Sequence, residues 1–223
     1  MFERSHLESA EATAKFAVLK SETGLPVLRF RGRLLSSAVD PVREAQSWTR
    51  GLKAPGDANT ALIVLGLGGG YQVAELIKQS SFGPVLVIEQ EAELIEKVRE
   101  IHPCLRDTAH AMLTWDDFIS DMELCRSILT KPYRVISIAS SLAFHREAYL
   151  RIQKILVGRE LADIAELQKL RGLQSGLAQS LALLATDTPL HITTPKEMLR
   201  MVERLPLSAR EKVTLHILGE MIL

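Results

Sequence analysis

The sequence is poor in cysteine, carries no excess of either charge and contains no long apolar run. Its two cysteines, Cys104 and Cys125, have neither a C-x-x-C spacing nor a matching histidine pattern, so we expect no zinc site and no metal ligands. Lysine plus arginine and aspartate plus glutamate both number 27, which removes a general electrostatic case for binding nucleic acid. No run of about 18 apolar residues is present, so we expect no membrane span.

Residues 1–15 also lack the apolar segment of a secretory signal peptide. Together with the scarcity of cysteine, this favours a reducing, cytoplasmic compartment, with both cysteines as small buried apolar groups. A length of 223 residues and an apolar fraction of 47% fit one large domain, or one domain with a small annex.

The most informative stretch, residues 61–89, has the pattern of strand, glycine loop, helix and strand. Its sequence is ALIVLGLGGGYQVAELIKQSSFGPVLVIE. The continuous apolar run at its start is typical of a parallel strand covered on both faces. Further strands are predicted at 112–115 and 133–139, with helices at 71–78, 92–101 and 116–129. This alternation predicts an α/β fold with a Rossmann-like, doubly wound, mostly parallel sheet.

Three domains are predicted from the change in pattern along the chain. Short β-rich runs separated by glycine-containing turns predict a small β annex over residues 1–35. The Rossmann-like domain covers 36–148, and residues 149–223 form a helical region for covering or oligomerisation. The last predicted helix, 208–223, finishes with the apolar letters GEMIL. We therefore expect it to contact a second copy, as in a homo-oligomer, or a further domain.

The glycine loop consists of Gly66, Gly68, Gly69 and Gly70 around one leucine. Such a turn presents backbone N–H groups and the positive end of a helix to an anion. The pattern GLGGGY departs from the dinucleotide fingerprint G-x-G-x-x-G, and the absence of G-x-x-x-x-G-K-[ST] excludes a P-loop NTPase. Tyr71 follows the loop, and we expect it to face the ligand together with the glycines.

Two acids follow the second and third predicted strands. Glu89 comes about 20 residues after the glycines, where an acid accepts both hydroxyls of a ribose. The pair predicts a nucleotide or S-adenosylmethionine as ligand. The other interpretation is that the domain has lost its ligand, so that the glycine loop is only a tight turn and Glu89 only a solvated acid. Asp116 stands where such folds contact a base, and it equally suits the first turn of a helix.

Other polar residues show no recognised chemistry. Serines after the fourth strand, among them Ser140 and Ser141, can bind a polar group or form the turn. His102 and His145 have no acid–base partner by spacing. Because no activated nucleophile is indicated, the sequence leaves open whether the chain is an enzyme.

Three short motifs occur in order along the first part of the chain. The first is Ser-x-x-Asp-Pro-x-x-Glu-Ala, matched by Ser37, Asp40, Pro41, Glu44 and Ala45. The second is Gly-Leu-Gly-x-Gly-Tyr, matched by Gly66, Leu67, Gly68, Gly70 and Tyr71. The third is an Ile-Glu-Pro-like strand end, matched by Ile88 and Glu89 with Gln90 in place of proline.

With these motifs, the stretch from about residue 15 to about residue 180 resembles the N-terminal portion of the flagellar motility accessory factor proteins. That group is also described as 6-hydroxymethylpterin diphosphokinase-like. The resemblance implies a Rossmann-like accessory domain from a system that glycosylates flagellin with nonulosonic acids. Family members carry transferase-like chemistry in a following domain, marked by a Gly-Pro-Ser-Leu-type run that this sequence lacks. The resemblance therefore implies nucleotide- or sugar-nucleotide-type binding without catalysis, with a flagellar protein or a further C-terminal domain as partner.

Two alternatives from other classes remain. S-adenosylmethionine-dependent methyltransferases of the aminopropyltransferase-like type also place a β hairpin before a VLxxGxGGG loop and a strand-end acid. Against this alternative, the fourth predicted strand lacks an acid and the chain after it turns helical. The other alternative is a non-enzymatic interaction module with a vestigial pocket.

Overall fold

The computed structural model describes residues 14–52, 60–79, 83–106, 111–158 and 160–172. The strands within these ranges are β1 Phe16–Lys20, β2 Pro26–Phe30, β3 Arg33–Leu34, β4 Ala61–Leu65, β5 Val85–Ile88, β6 Ala111–Leu113 and β7 Tyr133–Ser137. The α-helices are α1 Pro41–Gly51, α2 Tyr71–Lys78, α3 Ala92–Ile101, α4 Trp115–Ser120, α5 Met122–Leu129, α6 Ala139–Leu142, α7 Arg146–Val157 and α8 Leu161–Leu170. A short 3₁₀ turn, Pro103–Leu105, follows α3.

The larger sheet has the strand order β6-β5-β4-β7, and every pairing in it is parallel. Every residue of β4 and β5 is buried, as a continuous apolar strand in a covered parallel sheet requires. The Rossmann-like α/β prediction is therefore confirmed. From β4 the chain adds β5 and β6 on one side and β7 on the other. The order reverses between β4 and β7, and in open α/β sheets ligands bind outside the carboxyl ends of the strands at such a point.

The smaller sheet is an antiparallel meander of β1, β2 and β3. A two-residue turn joins β2 to β3, and its residues Arg31 and Gly32 have φ angles of +46° and +80°. Positive φ at both positions is the geometry of the hairpin turns that match strand twist, although arginine is an unusual residue in it. Phe16 stacks on Phe30 across the strands, with ring centroids 4.9 Å apart.

The first sequence motif forms the start of α1. The Asp40 carboxylate accepts a hydrogen bond from Arg43 N at 2.9 Å, and Pro41 occupies the first turn. Glu44 accepts from Ser37 N at 2.7 Å, and Ser37 Oγ accepts from Asp40 N at 3.2 Å. These contacts satisfy N–H groups that a helix start leaves unpaired. The motif is thus a helix cap.

Two details of the helices differ from, or go beyond, the expectation. The single helix predicted over 116–129 is divided into α4 and α5, because Asp121 caps α5 by accepting from Leu124 N at 2.9 Å. Gly158, with φ +62°, separates α7 from α8. The part of the predicted helical region after residue 172, including the helix predicted over 208–223, lies outside the described residues. The homo-oligomer therefore stays a prediction.

Two compact units make up the chain. One contains the described residues up to Asp117 and Lys131–Tyr149, and so holds both sheets. The other contains Phe118–Thr130 and the described residues from Leu150 onward. In the described part of the chain, no helix is both long enough and apolar enough to cross a bilayer.

Candidate functional site

The glycine loop, residues 66–70, leads from the carboxyl end of β4 into α2, at the point where the strand order reverses. Gly66 and Gly70 both have φ +87°, which other residues rarely adopt. A Cβ atom on Gly66 would collide with the side chain of Ser141. A Cβ atom on Gly70 would lie 2.5 Å from Val98 Cγ1 and 2.7 Å from His102 Cδ2. Both glycines are therefore required by the way the chain packs on itself.

Every backbone N–H group of the loop donates to a protein atom. The acceptors, in chain order, are Ile88 O, Glu89 Oε2, Ser141 Oγ, Leu35 O and Leu67 O, at N···O distances between 2.8 and 3.2 Å. A phosphate or other anion would have to replace one of these acceptors. The loop has the position expected of a nucleotide-binding turn, but its own five N–H groups are engaged within the protein.

Glu89 lies beside this loop and is 1% exposed. Its Oε1 atom accepts hydrogen bonds from the Tyr149 hydroxyl at 2.6 Å and from Gln90 N at 2.8 Å. A longer bond from Glu91 N, at 3.3 Å, reaches the same oxygen. The solvated strand-end acid considered from the sequence is therefore wrong as a description of Glu89, because a helix far along the chain covers it.

The second oxygen of Glu89 faces the glycine loop and the turn after β7. Oε2 accepts from Leu67 N at 2.8 Å and from Ser141 Oγ at 3.1 Å. Ser141 Oγ in turn accepts from Gly68 N at 2.8 Å. Glu89 therefore joins the carboxyl ends of β4, β5 and β7 through hydrogen bonds in the interior.

Tyr149 is the member of this network that sequence reasoning missed. It is 1% exposed and lies in the first part of α7. Burial, followed by the neighbouring Glu89 charge, raises the pKa of Tyr149, so the hydroxyl stays a proton donor. The available signal was its spacing, because Tyr149, Ile152 and Leu156 share the apolar face of α7 and a buried phenol requires a hydrogen-bond partner.

Tyr71 and His102 support the loop from its other side. The Tyr71 hydroxyl donates to Pro26 O at 2.7 Å, and its ring meets His102 edge-on with centroids 4.4 Å apart. His102 Nε2 lies 2.8 Å from Gly69 O, and because a carbonyl only accepts, this nitrogen carries the proton. Burial lowers the pKa of His102 and favours the neutral ring. Tyr71 is thus half of a packing contact, with its hydroxyl directed to the annex.

Asp116 has a different setting from the other predicted binding residues. It lies in the first turn of α4, after β6, and is exposed. The next residue, Asp117, accepts from the Thr114 hydroxyl at 2.7 Å and closes the start of that helix. The structure thus places the four glycines, Tyr71 and Glu89 around one loop, while Asp116 has the surroundings of a helix-start acid.

A second polar cluster, the Glu91 cluster, surrounds the side chain of Glu91, which is 13% exposed. Lys15 Nζ lies 3.1 Å from Glu91 Oε2, and Arg31 and His145 lie 2.8 and 2.9 Å from Oε1. Burial alone would favour the neutral acid, but hydrogen bonds from Lys15 and His145, with the charges of Lys15 and Arg31, lower the pKa of Glu91. No sequence pattern indicates this cluster, because its members come from four distant segments.

Within the described ranges, no three His, Cys, Asp or Glu residues are grouped so that they could hold a metal ion. Comparison with known proteins finds no family model and no curated sequence that matches this chain.

Proposed function

We propose that the chain is an accessory binding domain for a nucleotide-type or sugar-nucleotide-type ligand and has no reaction of its own. The contacts on Glu89 carry this proposal. One hydroxyl donates to each oxygen of its carboxylate, from Tyr149 at 2.6 Å and from Ser141 at 3.1 Å. An acid at this strand end accepts the two hydroxyls of a ribose in Rossmann-like domains. The site therefore has the polarity and orientation that such a ligand requires.

Three described side chains of the kinds that supply nucleophiles and bases in enzymes are engaged in internal contacts. His102 is bonded to Gly69 O, and His145 to the Glu91 carboxylate. Cys125 donates to Phe118 O, and burial together with the Asp121 charge raises the pKa of its thiol to about 11. A thiol with such a pKa is a poor nucleophile at neutral pH. This supports a role in binding rather than in chemistry.

The resemblance to the motility accessory factors supplies the biological part of the proposal. The second motif contains the glycine loop and the third contains Glu89. The first motif, which precedes them in the sequence, caps α1. We infer an association with flagellin glycosylation, with a flagellar protein or a further domain as partner. A cytoplasmic location fits that setting.

The engaged loop favours a second candidate, a non-enzymatic interaction module whose pocket is vestigial. All five N–H groups of residues 66–70 already donate within the protein. A domain that no longer binds a nucleotide would keep the loop for its packing, as the close neighbours of Gly66 and Gly70 illustrate.

Thermal unfolding with S-adenosylmethionine, a CMP-linked sugar and NAD separates these candidates. A ligand at 100 times its dissociation constant raises the unfolding free energy by about 2.7 kcal/mol. We expect the CMP-linked sugar to stabilise the chain at millimolar concentration, and Glu89→Gln to remove that effect. Glu93→Gln, on an exposed side chain, is the matched control. No stabilisation by any compound would leave the interaction module, and stabilisation by S-adenosylmethionine alone would favour the methyltransferase.

A further inference from the structure

We propose that Tyr149 and Ser141 occupy the positions of two neighbouring hydroxyls of the ligand, so that the site is a self-occupied cis-diol site. The ligand class is then a molecule with vicinal hydroxyls, such as the ribose of a nucleotide or a sugar ring. Binding requires these two side chains to withdraw from Glu89. This inference rests on the proposed function and adds to it the recognised group and the control of access.

Ser141 makes the two contacts that a bound hydroxyl would make. Its Oγ donates to Glu89 Oε2 at 3.1 Å and accepts from Gly68 N at 2.8 Å. A hydroxyl needs both a donor and an acceptor as partners when it leaves water. The glycine loop and Glu89 provide one of each at this point.

Tyr149 makes the equivalent pair of contacts on the other oxygen. Its hydroxyl donates to Glu89 Oε1 at 2.6 Å and accepts from Gln90 N at 3.2 Å. Two hydroxyl positions therefore exist on one carboxylate. Gly68 N is the donor at the first, and the Gln90 N–H is shared at the second between the hydroxyl and Glu89 Oε1. A vicinal diol presents its two oxygens in just such a neighbouring pair.

The carboxylate stays in place if the two hydroxyls are exchanged. Leu67 N and Gln90 N donate directly to its two oxygens, each at 2.8 Å, and the longer bond from Gln90 N to the Tyr149 hydroxyl shares the hydrogen of the second. Exchanging hydroxyl for hydroxyl conserves the number of hydrogen bonds. The apparent affinity for the ligand then equals the intrinsic affinity multiplied by the fraction of molecules in which the two side chains have withdrawn, and this fraction is small.

Two buried polar atoms next to the network point independently to a missing polar partner. Ser36 Oγ, against Gly69, and Gln90 Nε2, in the residue after Glu89, have no hydrogen-bond partner among the described residues. A buried polar atom without a partner costs about 1–3 kcal/mol. A ligand with several hydroxyls would supply partners of the kind these atoms lack.

Calorimetric titration with adenosine and with 2′-deoxyadenosine tests the inference. We expect Tyr149→Ala to bind adenosine at least about 10-fold more tightly than the unchanged chain, because the competing hydroxyl and ring are removed. We expect 2′-deoxyadenosine to lose this gain. Adding Glu89→Gln to Tyr149→Ala should abolish it as well.

Three variants keep the test interpretable. Tyr149→Phe removes the hydroxyl but keeps the buried ring, so it folds even where truncation is costly, and we expect a gain of about 3-fold. Tyr133→Phe, at the amino end of β7, is the control for loss of a hydroxyl. Leu86→Ala, in β5 and 1% exposed, is the control for a cavity made elsewhere, and neither control should gain affinity.

The outcomes also separate this inference from the proposed function. Equal adenosine affinity in the unchanged chain and in Tyr149→Ala would overturn the inference and leave the proposed function standing. An equal gain for adenosine and 2′-deoxyadenosine would show a cavity that binds without recognising a diol, and would overturn it too. Both proposals fail if the folded variants bind neither nucleoside and if S-adenosylmethionine, the CMP-linked sugar and NAD all fail to stabilise the unchanged chain.

Discussion

At the scale of the single residue, Glu89 is the point on which the carboxyl edge of the sheet depends. Five donors surround its carboxylate, and it is 1% exposed. In Glu89→Gln the amide nitrogen meets donors instead of an acceptor, so at least one buried group loses its partner. We expect the free energy of unfolding to fall by about 2 kcal/mol, read from the urea midpoint at an unchanged slope. A loss no larger than that of the exposed Glu93→Gln would contradict the role assigned to the network.

Gly70 and Gly24 separate packing from backbone strain. Their φ angles are +87° and +79°, so alanine costs about 1 kcal/mol at either position from strain alone. A Cβ atom at Gly24 meets nothing within 4 Å, whereas one at Gly70 meets Val98 at 2.5 Å. We expect Gly70→Ala to lose about 2 kcal/mol more than Gly24→Ala in urea unfolding. Equal losses would mean that the loop moves freely away from α3.

The position of Glu89 could be predicted from sequence, but its surroundings could not. A strand-end acid beside a glycine loop follows from the order of elements, since parallel strands end at one edge. Tyr149 lies 60 residues further along, and its contact depends on how α7 is rotated when it follows β7. Local patterns carry no information on that rotation. The binding role of the loop and of Glu89 therefore stays a prediction.

At the scale of the element, the sequence pattern predicted the bounds of two helices correctly and missed a break within a third. The predicted bounds of α2 and α3 agree with the structure residue by residue. The helix predicted over 116–129 is two helices, because Asp121 offers a second cap while the apolar spacing continues across it. Spacing alone does not reveal such a break.

The Glu91 cluster connects the smaller sheet, the start of α3 and the residue before α7. Its contacts depend on an ionised carboxylate and are therefore sensitive to acid. The pKa of Glu91 in the folded chain lies below its ordinary value of 4.5, so folding favours the ionised form. Its contribution to stability is complete above pH 4.5 and is lost as the pH falls through the folded-state pKa. Hydrogen bonds to Glu93 and Glu91 raise the pKa of Lys15, so Lys15 stays charged in this range. Glu93 shares Lys15 with Glu91.

We expect the urea midpoint of the unchanged chain to fall more steeply between about pH 5 and about pH 3 than that of Glu91→Gln, since glutamine cannot titrate. Glu96→Gln is the matched control, because Glu96 lies in α3, the helix that Glu91 precedes, and its side chain is 67% exposed. Its pH profile should follow that of the unchanged chain. Parallel profiles for all three proteins would show that the Glu91 cluster does not couple protonation to folding.

At the scale of the whole molecule, the charges are balanced in number, and several of those in the described part of the chain are paired in space. Lysine plus arginine and aspartate plus glutamate are 27 each. Several basic side chains lie within 4 Å of an acid: Lys15, Arg31, Lys97, Arg99, Arg151 and Lys154. Pairing of this kind leaves weak fields at a distance, because the fields of opposite charges largely cancel. Dissolved salt screens what remains beyond a Debye length of about 10 Å at 0.1 M.

This balance predicts that the chain does not bind nucleic acid without sequence preference. Such binding comes from basic groups that release counterions from the phosphate backbone, and dissociation constants of about 10⁻⁴–10⁻⁶ M are usual for it. Fluorescence anisotropy of a short labelled duplex, titrated with protein at low salt, should show no saturation at protein concentrations up to about 100 μM. A basic DNA-binding protein of similar mass is the positive control. Micromolar binding that weakens as salt is added would reveal a local basic patch that the overall balance conceals, and would redirect attention from nucleotide-sized ligands to polymers.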